Sequence, residues 1–189
     1  MIPFNYLGFV FKHFGKIIYP NVVKLELCTF LEPLSNEASV LDLGAGTGMM
    51  SEFAYRCNSK LKYVAIDPSA GMLKYTPEYL DTHIGVAELL PFEDNSFDLI
   101  LMGESLHHFE NPELALEEVR RVLNKNGKLF IYDFDKSTFF GGAIYQMEKL
   151  LGEPAHFYEP SELKKILERY GFSVNISHYK WRYTASAFL

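Results

Sequence analysis

Short apolar runs alternate with helical patterns through the middle of the chain, between residues 39 and 134. Four of the runs are rich in Val, Ile, Leu and Phe, which is typical of strands buried on both faces of a sheet. They cover residues 40–43, 61–66, 97–102 and 128–133. Helical spacing covers residues 49–57, 69–74 and 112–123 between them. This alternation predicts parallel strands joined by right-handed crossovers, and hence a doubly wound α/β sheet.

The pattern changes toward the end of the chain. Residues 160–171 predict a capped helix that begins at Pro160 and ends at Tyr170 and Gly171. Residues 172–189 then alternate loosely between apolar and polar positions, and no helix fits between their two halves. We therefore expect an antiparallel hairpin at one edge of the sheet.

Aromatic residues occupy helix-compatible positions in the first 33 residues. They favour one or two helices packed on the sheet or over a site. Lys12 and Lys16 leave a second interpretation open, an amphipathic helix on a membrane surface. The segment has neither the long apolar run of a membrane span nor the cationic start and cleavage site of a secretion signal.

The composition of the 189 residues, 48% hydrophobic and 22% charged, is typical of one globular domain. The formal net charge of −6 is spread along the chain, so we expect no nucleic-acid partner. The two cysteines, Cys28 and Cys57, have no zinc-site spacing and are predicted to be lone buried thiols. Lone thiols and the missing secretion signal indicate a cytoplasmic protein.

Three glycines at alternate positions follow the first predicted strand. They are Gly44, Gly46 and Gly48 in the segment VLDLGAGTG, and a helical pattern begins directly after them. Glycine permits positive φ and lets a ligand approach the backbone. In open α/β sheets, ligands bind outside the carboxyl ends of the strands, where this loop lies. Close packing of the following helix would by itself explain one glycine, but not three beside the acidic Asp42.

An acidic residue, Asp67, ends the next predicted strand, about 20 residues beyond the glycines. A carboxylate at this place is suited to accept hydrogen bonds from ribose hydroxyls. Asp67 would also serve as the N-cap of the helix predicted from Ser69. The two roles are compatible, and the neighbouring glycine loop favours ribose binding.

The glycine spacing separates two classes of nucleotide. Dinucleotide dehydrogenases usually carry G-x-G-x-x-G, with a pyrophosphate at the helix N-terminus. Here the spacing is G-x-G-x-G, and Asp42 would repel a pyrophosphate but suits a ligand that carries an ammonium group. There is also no phosphate-binding G-x-x-x-x-G-K-[ST] segment. The pattern indicates S-adenosylmethionine, and a nicotinamide dehydrogenase is the weaker alternative.

From residue 40 to residue 134 the chain resembles the class I S-adenosylmethionine-dependent methyltransferases. It is most similar to their type-11 subgroup, which includes ubiquinone and menaquinone biosynthesis enzymes. Five segments carry the resemblance, in the family's order: VLDLGAGTG, IDPSAGML, AELLPFEDNSFDLI, SLHHF and EVRRVLNKNGKL. The resemblance implies a Rossmann-like, mostly parallel seven-stranded sheet in a single domain. That domain would comprise an N-terminal helical segment (1–38), a cofactor-binding core (39–134) and a substrate-side segment with edge strands (135–189).

The resemblance also implies residue roles around S-adenosylmethionine, whose product is S-adenosylhomocysteine. The methionine part would be surrounded by Asp42, Gly44, Ala45 and Gly46, and the ribose would be held by Asp67. The adenine ring would be flanked by Pro68 and Met72, with Ala87, Glu88 and Leu89 along its edge. The reacting methyl would be bordered by Gly103, Glu104 and Ser105. One position departs from the family. Val86 stands where the family often has an Asp that binds the adenine amino group, so Glu88 or backbone carbonyls must take over.

The catalytic candidates are Glu104 and His108. A histidine would act as a general base if the acceptor is a weakly acidic hydroxyl. His107 is interpreted as a packing or backbone-satisfying residue, and for His108 both interpretations stay open. Glu104-x-x-His107 and Glu153-x-x-His156 both have the carboxylate–histidine spacing of di-iron proteins, but that site needs a bundle of four long helices, and Pro154 interrupts the second pair. We therefore predict no metal site.

The acceptor is expected to be a small molecule that the sequence does not name. Its pocket would lie between the N-terminal helices and residues 134–159, where Gly141 and Gly142 allow a mobile lid over aromatic residues. The same aromatic residues would equally serve to pack over the sheet. So small a cap suggests an open pocket, a homodimer partner that completes it, or a macromolecular acceptor. A module that binds the cofactor without methylating is the alternative to an enzyme.

Overall fold

The computed structural model describes residues 19–189, and its central feature is one seven-stranded sheet. The strands are β1 (Ser39–Leu43), β2 (Lys62–Asp67), β3 (Asp81–Ile84), β4 (Phe97–Gly103), β5 (Leu123–Phe134), β6 (Ser173–Tyr179) and β7 (Arg182–Phe188). The helices are α1 (Asn21–Leu31), α2 (Met49–Cys57), α3 (Ala70–Leu73), α4 (Pro112–Val122), α5 (Phe139–Leu150) and α6 (Pro160–Arg169), with a 3₁₀ turn at Leu106–His108.

The strand order in the sheet is β3-β2-β1-β4-β5-β7-β6. The pairs among β1 to β5 are parallel, whereas β7 pairs antiparallel with both β5 and β6. The order reverses between β1 and β4, so the crevice of this open sheet lies outside the carboxyl ends of those two strands. The predicted doubly wound sheet with a C-terminal antiparallel hairpin is confirmed.

Two apolar cores cover the two faces of the sheet. Helices α4 and α6 contribute to one, and α1 and α2 to the other. Helix α1 buries Val23, Leu27 and Phe30 along one stripe, as an amphipathic helix on a sheet should. Its Glu26 carboxylate accepts hydrogen bonds from Tyr179 Oη at 2.7 Å and Thr184 Oγ1 at 2.9 Å, which ties α1 to the β6–β7 hairpin.

The helix starts follow from local chemistry. Asn111 caps α4 by accepting a hydrogen bond from Leu114 N at 3.2 Å, and Pro112 occupies the first turn. Helix α6 begins at Pro160 as predicted and ends before Gly171, which adopts a φ of +88°. Helix α3 has only four residues, and its N-cap is Ser69 and not Asp67.

Two strand predictions need correction. Strand β3 is absent from the predicted runs, because the four residues of this edge strand are mostly exposed and carry no buried apolar pattern. Strand β5 begins at Leu123, directly after α4, although Asn126 and Gly127 were expected to form the turn between them. Leu123 pairs with Phe97, but the register then shifts to Leu99 with Lys128, so residues 124–127, with Asn126 and Gly127, bulge out of the ladder as an irregularity inside β5.

The cysteine prediction is wrong. Cys28 and Cys57 form a disulfide, with their Cα atoms 5.2 Å apart. They are 29 residues apart in sequence, but α1 and α2 pack together and bring the thiols into reach. Spacing alone does not reveal such a contact.

The membrane-surface interpretation of the N-terminus stays a hypothesis, because residues 1–18, including Lys12 and Lys16, lie outside the described residues. Among residues 19–189, no helix is long and apolar enough to cross a membrane.

Candidate functional site

The predicted site residues converge because their strands are neighbours. Strand β1 lies between β2 and β4, with Leu43 in register with Ile66 and Asp42 with Leu101. The carboxyl ends of these three parallel strands therefore share one edge. That edge brings the glycine loop, Asp67 and the segment from Gly103 to His108 together, which are distant in sequence.

The glycine loop requires glycine at each of its three positions. Gly44, Gly46 and Gly48 have φ values of +70°, +55° and +73°, which other residues adopt only with strain. A Cβ on Gly44 would lie 2.6 Å from Ser105 Cβ, and one on Gly48 would lie 2.7 Å from Leu80 Cδ1. The loop is therefore a bare backbone surface packed against its neighbours.

The Asp67 carboxylate holds this loop in place. Its Oδ2 accepts a hydrogen bond from Gly46 N at 2.8 Å, and its Oδ1 accepts one from Ser69 N at 2.8 Å. Burial raises the pKa of Asp67, and these two hydrogen bonds act in the opposite direction. A carboxylate offers about four acceptor positions, so two remain for ribose hydroxyls.

Asp42 has a different position. Its side chain is buried, and Oδ2 accepts from Ser51 N at 3.0 Å and Ser51 Oγ at 2.7 Å. Burial raises the pKa of Asp42 to about 6, against the Ser51 hydrogen bonds and with a smaller contribution from Asp67. Asp42 thus anchors the first turn of α2 behind the loop. Its contact with the methionine part of a cofactor stays a prediction.

The predicted adenine-side residues differ in exposure. Met72 and Ala87 are buried, whereas Pro68 and Leu89 are exposed. Glu88 Oε1 accepts a hydrogen bond from Asn111 N at 3.0 Å, so this carboxylate supports the start of α4. Its availability for an adenine amino group is thereby reduced, and its predicted adenine contact stays untested.

Glu104 lies at the end of β4 with a φ of +54°. Its Oε1 is 2.6 Å from Arg182 Nε, an ion pair that sequence reasoning missed. Burial raises the pKa of Glu104 to about 7, although Arg182 pulls it down. Next to it, a Cβ on Gly103 would lie 2.5 Å from Tyr19 Oη, so the Tyr19 side chain closes one side of the site.

The two histidines of the 3₁₀ turn have opposite environments. His107 is buried, and its Nδ1 lies 2.6 Å from Asp133 Oδ1. Burial works against a charged His107, but the carboxylates of Asp133, Glu148 and Glu104 outweigh it and raise the pKa of this imidazole. Burial and the neighbouring His107 lower the pKa of His108 to about 2. A neutral His108 with so low a pKa is a weak proton acceptor at neutral pH.

Known proteins share both the sequence segments and the fold. A family model described as a methyltransferase domain matches residues 41–131. A demethylmenaquinone methyltransferase of Renibacterium salmoninarum is 42% identical over 104 residues, 53% of this chain and 43% of that protein. A demethylmenaquinone methyltransferase of Thermotoga maritima is 28% identical over 165 residues, 74% of this chain and 72% of that protein. The crystal structure of another Thermotoga maritima S-adenosylmethionine-dependent methyltransferase shares the fold, with a TM-score of 0.69 and 22% identity over 97% of this chain and 99% of that one.

The middle of the chain, residues 41–131, matches the methyltransferase domain family, and the chain shares the fold of a solved S-adenosylmethionine-dependent methyltransferase.

The chain spans 43% to 63% of the length of three curated relatives that it matches. The matched family region ends at residue 131, within β5. The segments that follow, including α5, lie outside the matched region.

Helix α5 carries the two glycines of the predicted lid. Gly141 and Gly142 lie in its first turn, where the N-cap Thr138 Oγ1 accepts a hydrogen bond from Gly141 N at 3.1 Å. Phe139 and Phe140 are 85% and 63% exposed, so they do not pack over the sheet. The mobile lid stays a prediction, and the exposed rings leave an apolar surface beside the site.

Four residues around this site escaped sequence reasoning: Tyr19, Asp133, Glu148 and Arg182. Asp133 was visible in the sequence as the polar residue at the end of the predicted run 128–133, which is comparable to the position of Asp67 at the end of β2. Arg182 follows from the antiparallel register, which pairs it with Phe134 at the carboxyl end of β5. Glu148 lies on α5 and gave no signal in the sequence.

Proposed function

We propose that this protein transfers the methyl group of S-adenosylmethionine to a small-molecule acceptor and releases S-adenosylhomocysteine. The observation that carries the proposal is the convergence of the glycine loop, Asp67 and Glu104 at the sheet's switch point. The bare loop suits close approach of a ligand, Asp67 has free acceptor positions for ribose, and acidic groups nearby suit an ammonium. These residue types fit S-adenosylmethionine better than a dinucleotide, whose pyrophosphate they would repel.

The bound cofactor supplies an activated methyl group, because the departing sulfur becomes a neutral thioether. The task of the protein is then to bind, to orient and to exclude water. Gly44 and Gly46 leave room at the backbone, Asp67 fixes the ribose, and Glu104 lies where the acceptor approaches. Positioning of this kind contributes up to roughly 7–11 kcal/mol in well-oriented model reactions. The low pKa of His108 favours an acceptor that is already nucleophilic, or one deprotonated by another group.

An apolar, aromatic acceptor has the best support. Two relatives are named demethylmenaquinone methyltransferases. The exposed rings of Phe139 and Phe140 beside the site offer an apolar surface to such a molecule. A second copy of the chain that covers this surface would complete the pocket, so we include a homodimer in the proposal. Size-exclusion chromatography coupled to light scattering measures the molar mass that distinguishes a homodimer from a monomer.

The test uses S-adenosylmethionine labelled in its methyl group. The purified protein is incubated with it and with extract of the source cell, which is then fractionated into polar metabolites, lipids, protein and RNA. Label in the lipid or polar-metabolite fraction, lost with Asp67→Asn, supports the proposal and gives the acceptor class. Label in protein or RNA contradicts a small-molecule acceptor.

The alternative is a module that binds S-adenosylmethionine without transferring its methyl group. Two observations favour it: the Glu104 carboxylate is paired with Arg182, and His108 is a weak base. Stoichiometric S-adenosylhomocysteine binding with label in no fraction would support this alternative and oppose the enzyme.

We further infer a cytoplasmic enzyme, as expected from the sequence. The Cys28–Cys57 disulfide argues against this inference, since the cytosol of most organisms keeps thiols reduced. Counting thiols trapped at the moment of cell lysis tests it. Free Cys28 and Cys57 would support the cytoplasm, and a fully oxidised pair would oppose it.

A further inference from the structure

Three metal-binding side chains converge beside the site from two separate elements. His107 and His108 lie on the 3₁₀ turn after β4, and Glu148 lies on α5. Glu148 Oε2 is 3.7 Å from His107 Nε2 and 3.9 Å from His108 Nδ1. All three ligand atoms lie within 4.8 Å of one another. We refer to these residues as the His107–His108–Glu148 cluster.

The contacts in this cluster are too long for hydrogen bonds, which need about 2.7–3.2 Å between N and O. His107 Nε2 and Glu148 Oε2 are both buried and have no hydrogen-bond partner among the residues that the structure describes. Buried polar atoms are normally satisfied, because leaving one unpaired costs about 1–3 kcal/mol. Two such atoms that face each other at 3.7 Å point to something bound between them.

The spacing fits a metal ion. Zn²⁺ binds His nitrogens and carboxylate oxygens at about 2.0–2.2 Å, which places neighbouring ligand atoms about 3.3–3.6 Å apart in tetrahedral geometry. The two carboxylate–imidazole distances, 3.7 and 3.9 Å, exceed this by a few tenths of an ångström, a difference that side-chain rotation closes, and the two imidazoles lie within 4.8 Å of each other. Two imidazoles favour a transition metal over Mg²⁺ or Ca²⁺, which prefer oxygen ligands.

A supporting carboxylate completes the arrangement. Asp133 Oδ1 lies 2.6 Å from His107 Nδ1, so Nδ1 is the donor of this contact and Nε2, on the side of Glu148, is the nitrogen left to bind a metal ion. Asp133 is itself held by a hydrogen bond from Phe134 N to the same oxygen at 2.8 Å. Metal-binding histidines characteristically donate their second ring N–H to such a carboxylate, which fixes the tautomer.

We propose that His107, His108 and Glu148 bind one divalent transition-metal ion, with Zn²⁺ as its best-matched representative, and that Asp133 positions His107. Two histidines and one glutamate form the ligand set of catalytic zinc sites that leave a further position open. That position would take water or a heteroatom of a ligand. The His108 side chain is 26% exposed and provides the entry path.

The test measures Zn²⁺ alone, without S-adenosylmethionine, so its failure would leave the proposed function untouched. Metal-free protein competes with a chromophoric chelator for Zn²⁺, and Co²⁺ in place of Zn²⁺ reports imidazole ligation through its visible absorption. The variants are His108→Gln, Glu148→Gln and Asp133→Asn. His178→Gln, at an exposed histidine on β6, is the matched control.

The proposal expects one Zn²⁺ per chain in the wild type and in His178→Gln, with a Co²⁺ spectrum of imidazole ligation. His108→Gln and Glu148→Gln should weaken Zn²⁺ binding at least as strongly as Asp133→Asn, for which we expect a 10- to 100-fold loss, the typical effect of a supporting residue. Thermal unfolding of each metal-free variant identifies any that fail to fold. Absence of stoichiometric binding to the wild type overturns the proposal without any variant, and so does equal affinity in folded His108→Gln and His178→Gln.

Discussion

Asp67→Asn separates the two roles that the structure gives to this carboxylate. The substitution keeps the shape of the side chain but removes its charge and replaces one acceptor oxygen with an N–H₂ donor. In the wild type both oxygens accept backbone hydrogen bonds, from Gly46 N and Ser69 N, each at 2.8 Å. The amide can keep only one of them, and it also loses its best interaction with ribose hydroxyls.

The expected magnitude follows from these contacts. A hydrogen bond to a charged group contributes about 1.5–3 kcal/mol, so the Kd for S-adenosylhomocysteine should rise roughly 10- to 150-fold. The unmatched Gly46 or Ser69 N–H should lower the free energy of unfolding by about 1–3 kcal/mol. A decrease in stability and a decrease in affinity of similar free energy are therefore expected together.

Isothermal titration with S-adenosylhomocysteine, well below the unfolding temperature, measures the affinity, and a thermal melt measures the stability. Asp81→Asn is the matched control, since it makes the same change on the neighbouring β3 at a 72% exposed side chain. Asp81→Asn should leave both quantities unchanged. A folded Asp67→Asn protein that binds within twofold of the wild type would refute the ribose assignment.

Three further predictions concern the loop, the buried acid and the disulfide. Gly44→Ala places a Cβ 2.6 Å from Ser105 Cβ at a φ of +70°, so urea unfolding should show a loss of about 2–4 kcal/mol; an unchanged midpoint would contradict the packing of the loop. The folded pKa of Glu104, about 7, exceeds the unfolded value of about 4.5, so the folded state binds the proton more tightly. The unfolding free energy of the wild type should therefore fall relative to Glu104→Gln as pH rises from about 4.5 to about 7, by roughly 3 kcal/mol, and a parallel pH dependence of the two proteins would disprove the raised pKa. Reducing Cys28–Cys57, which are 29 residues apart, should lower the unfolding free energy by about 3–4 kcal/mol and the Tm by about 10 °C in calorimetry, whereas an unshifted melt would show that the bond does not constrain the chain.

The shared core was predictable because its signals are local. The strands β1, β2 and β4 are short apolar runs, and Gly44, Asp67 and Glu104 stand at or directly after the ends of these strands. The proximity of Gly44 and Asp67 was predictable from the rule that the carboxyl ends of parallel strands lie at one edge of the sheet. The structure adds an interaction between the two segments, because the Asp67 carboxylate accepts a hydrogen bond from the glycine loop.

The acceptor side was not predictable, because its contacts depend on long-range register. Glu104 meets Arg182 only because β7 runs antiparallel to β5. His107 meets Glu148 because α5 returns over the end of β4, 41 positions later in the chain. The prediction of no metal site, which stays untested, considered the cysteine spacing and the four-helix pattern, but not ligands contributed by one turn and one distant helix.

The disulfide was missed for a similar reason. Cys28 lies in the middle of α1 and Cys57 at the end of α2, and their proximity follows from the packing of the two helices on the sheet. Two cysteines in a chain of this length fit lone thiols equally well on composition alone. Helix packing had to be known before the pair was recognisable.

The central claim is that the crevice at the carboxyl ends of β1, β2 and β4 binds S-adenosylmethionine. The most direct measurement is a competition titration in which NADH is added to purified protein with bound S-adenosylhomocysteine, and S-adenosylhomocysteine to protein with NADH. The account predicts one S-adenosylhomocysteine per chain, with no displacement by NADH at equal concentration. Tighter binding of NADH, or no binding of S-adenosylhomocysteine to folded protein, would contradict it.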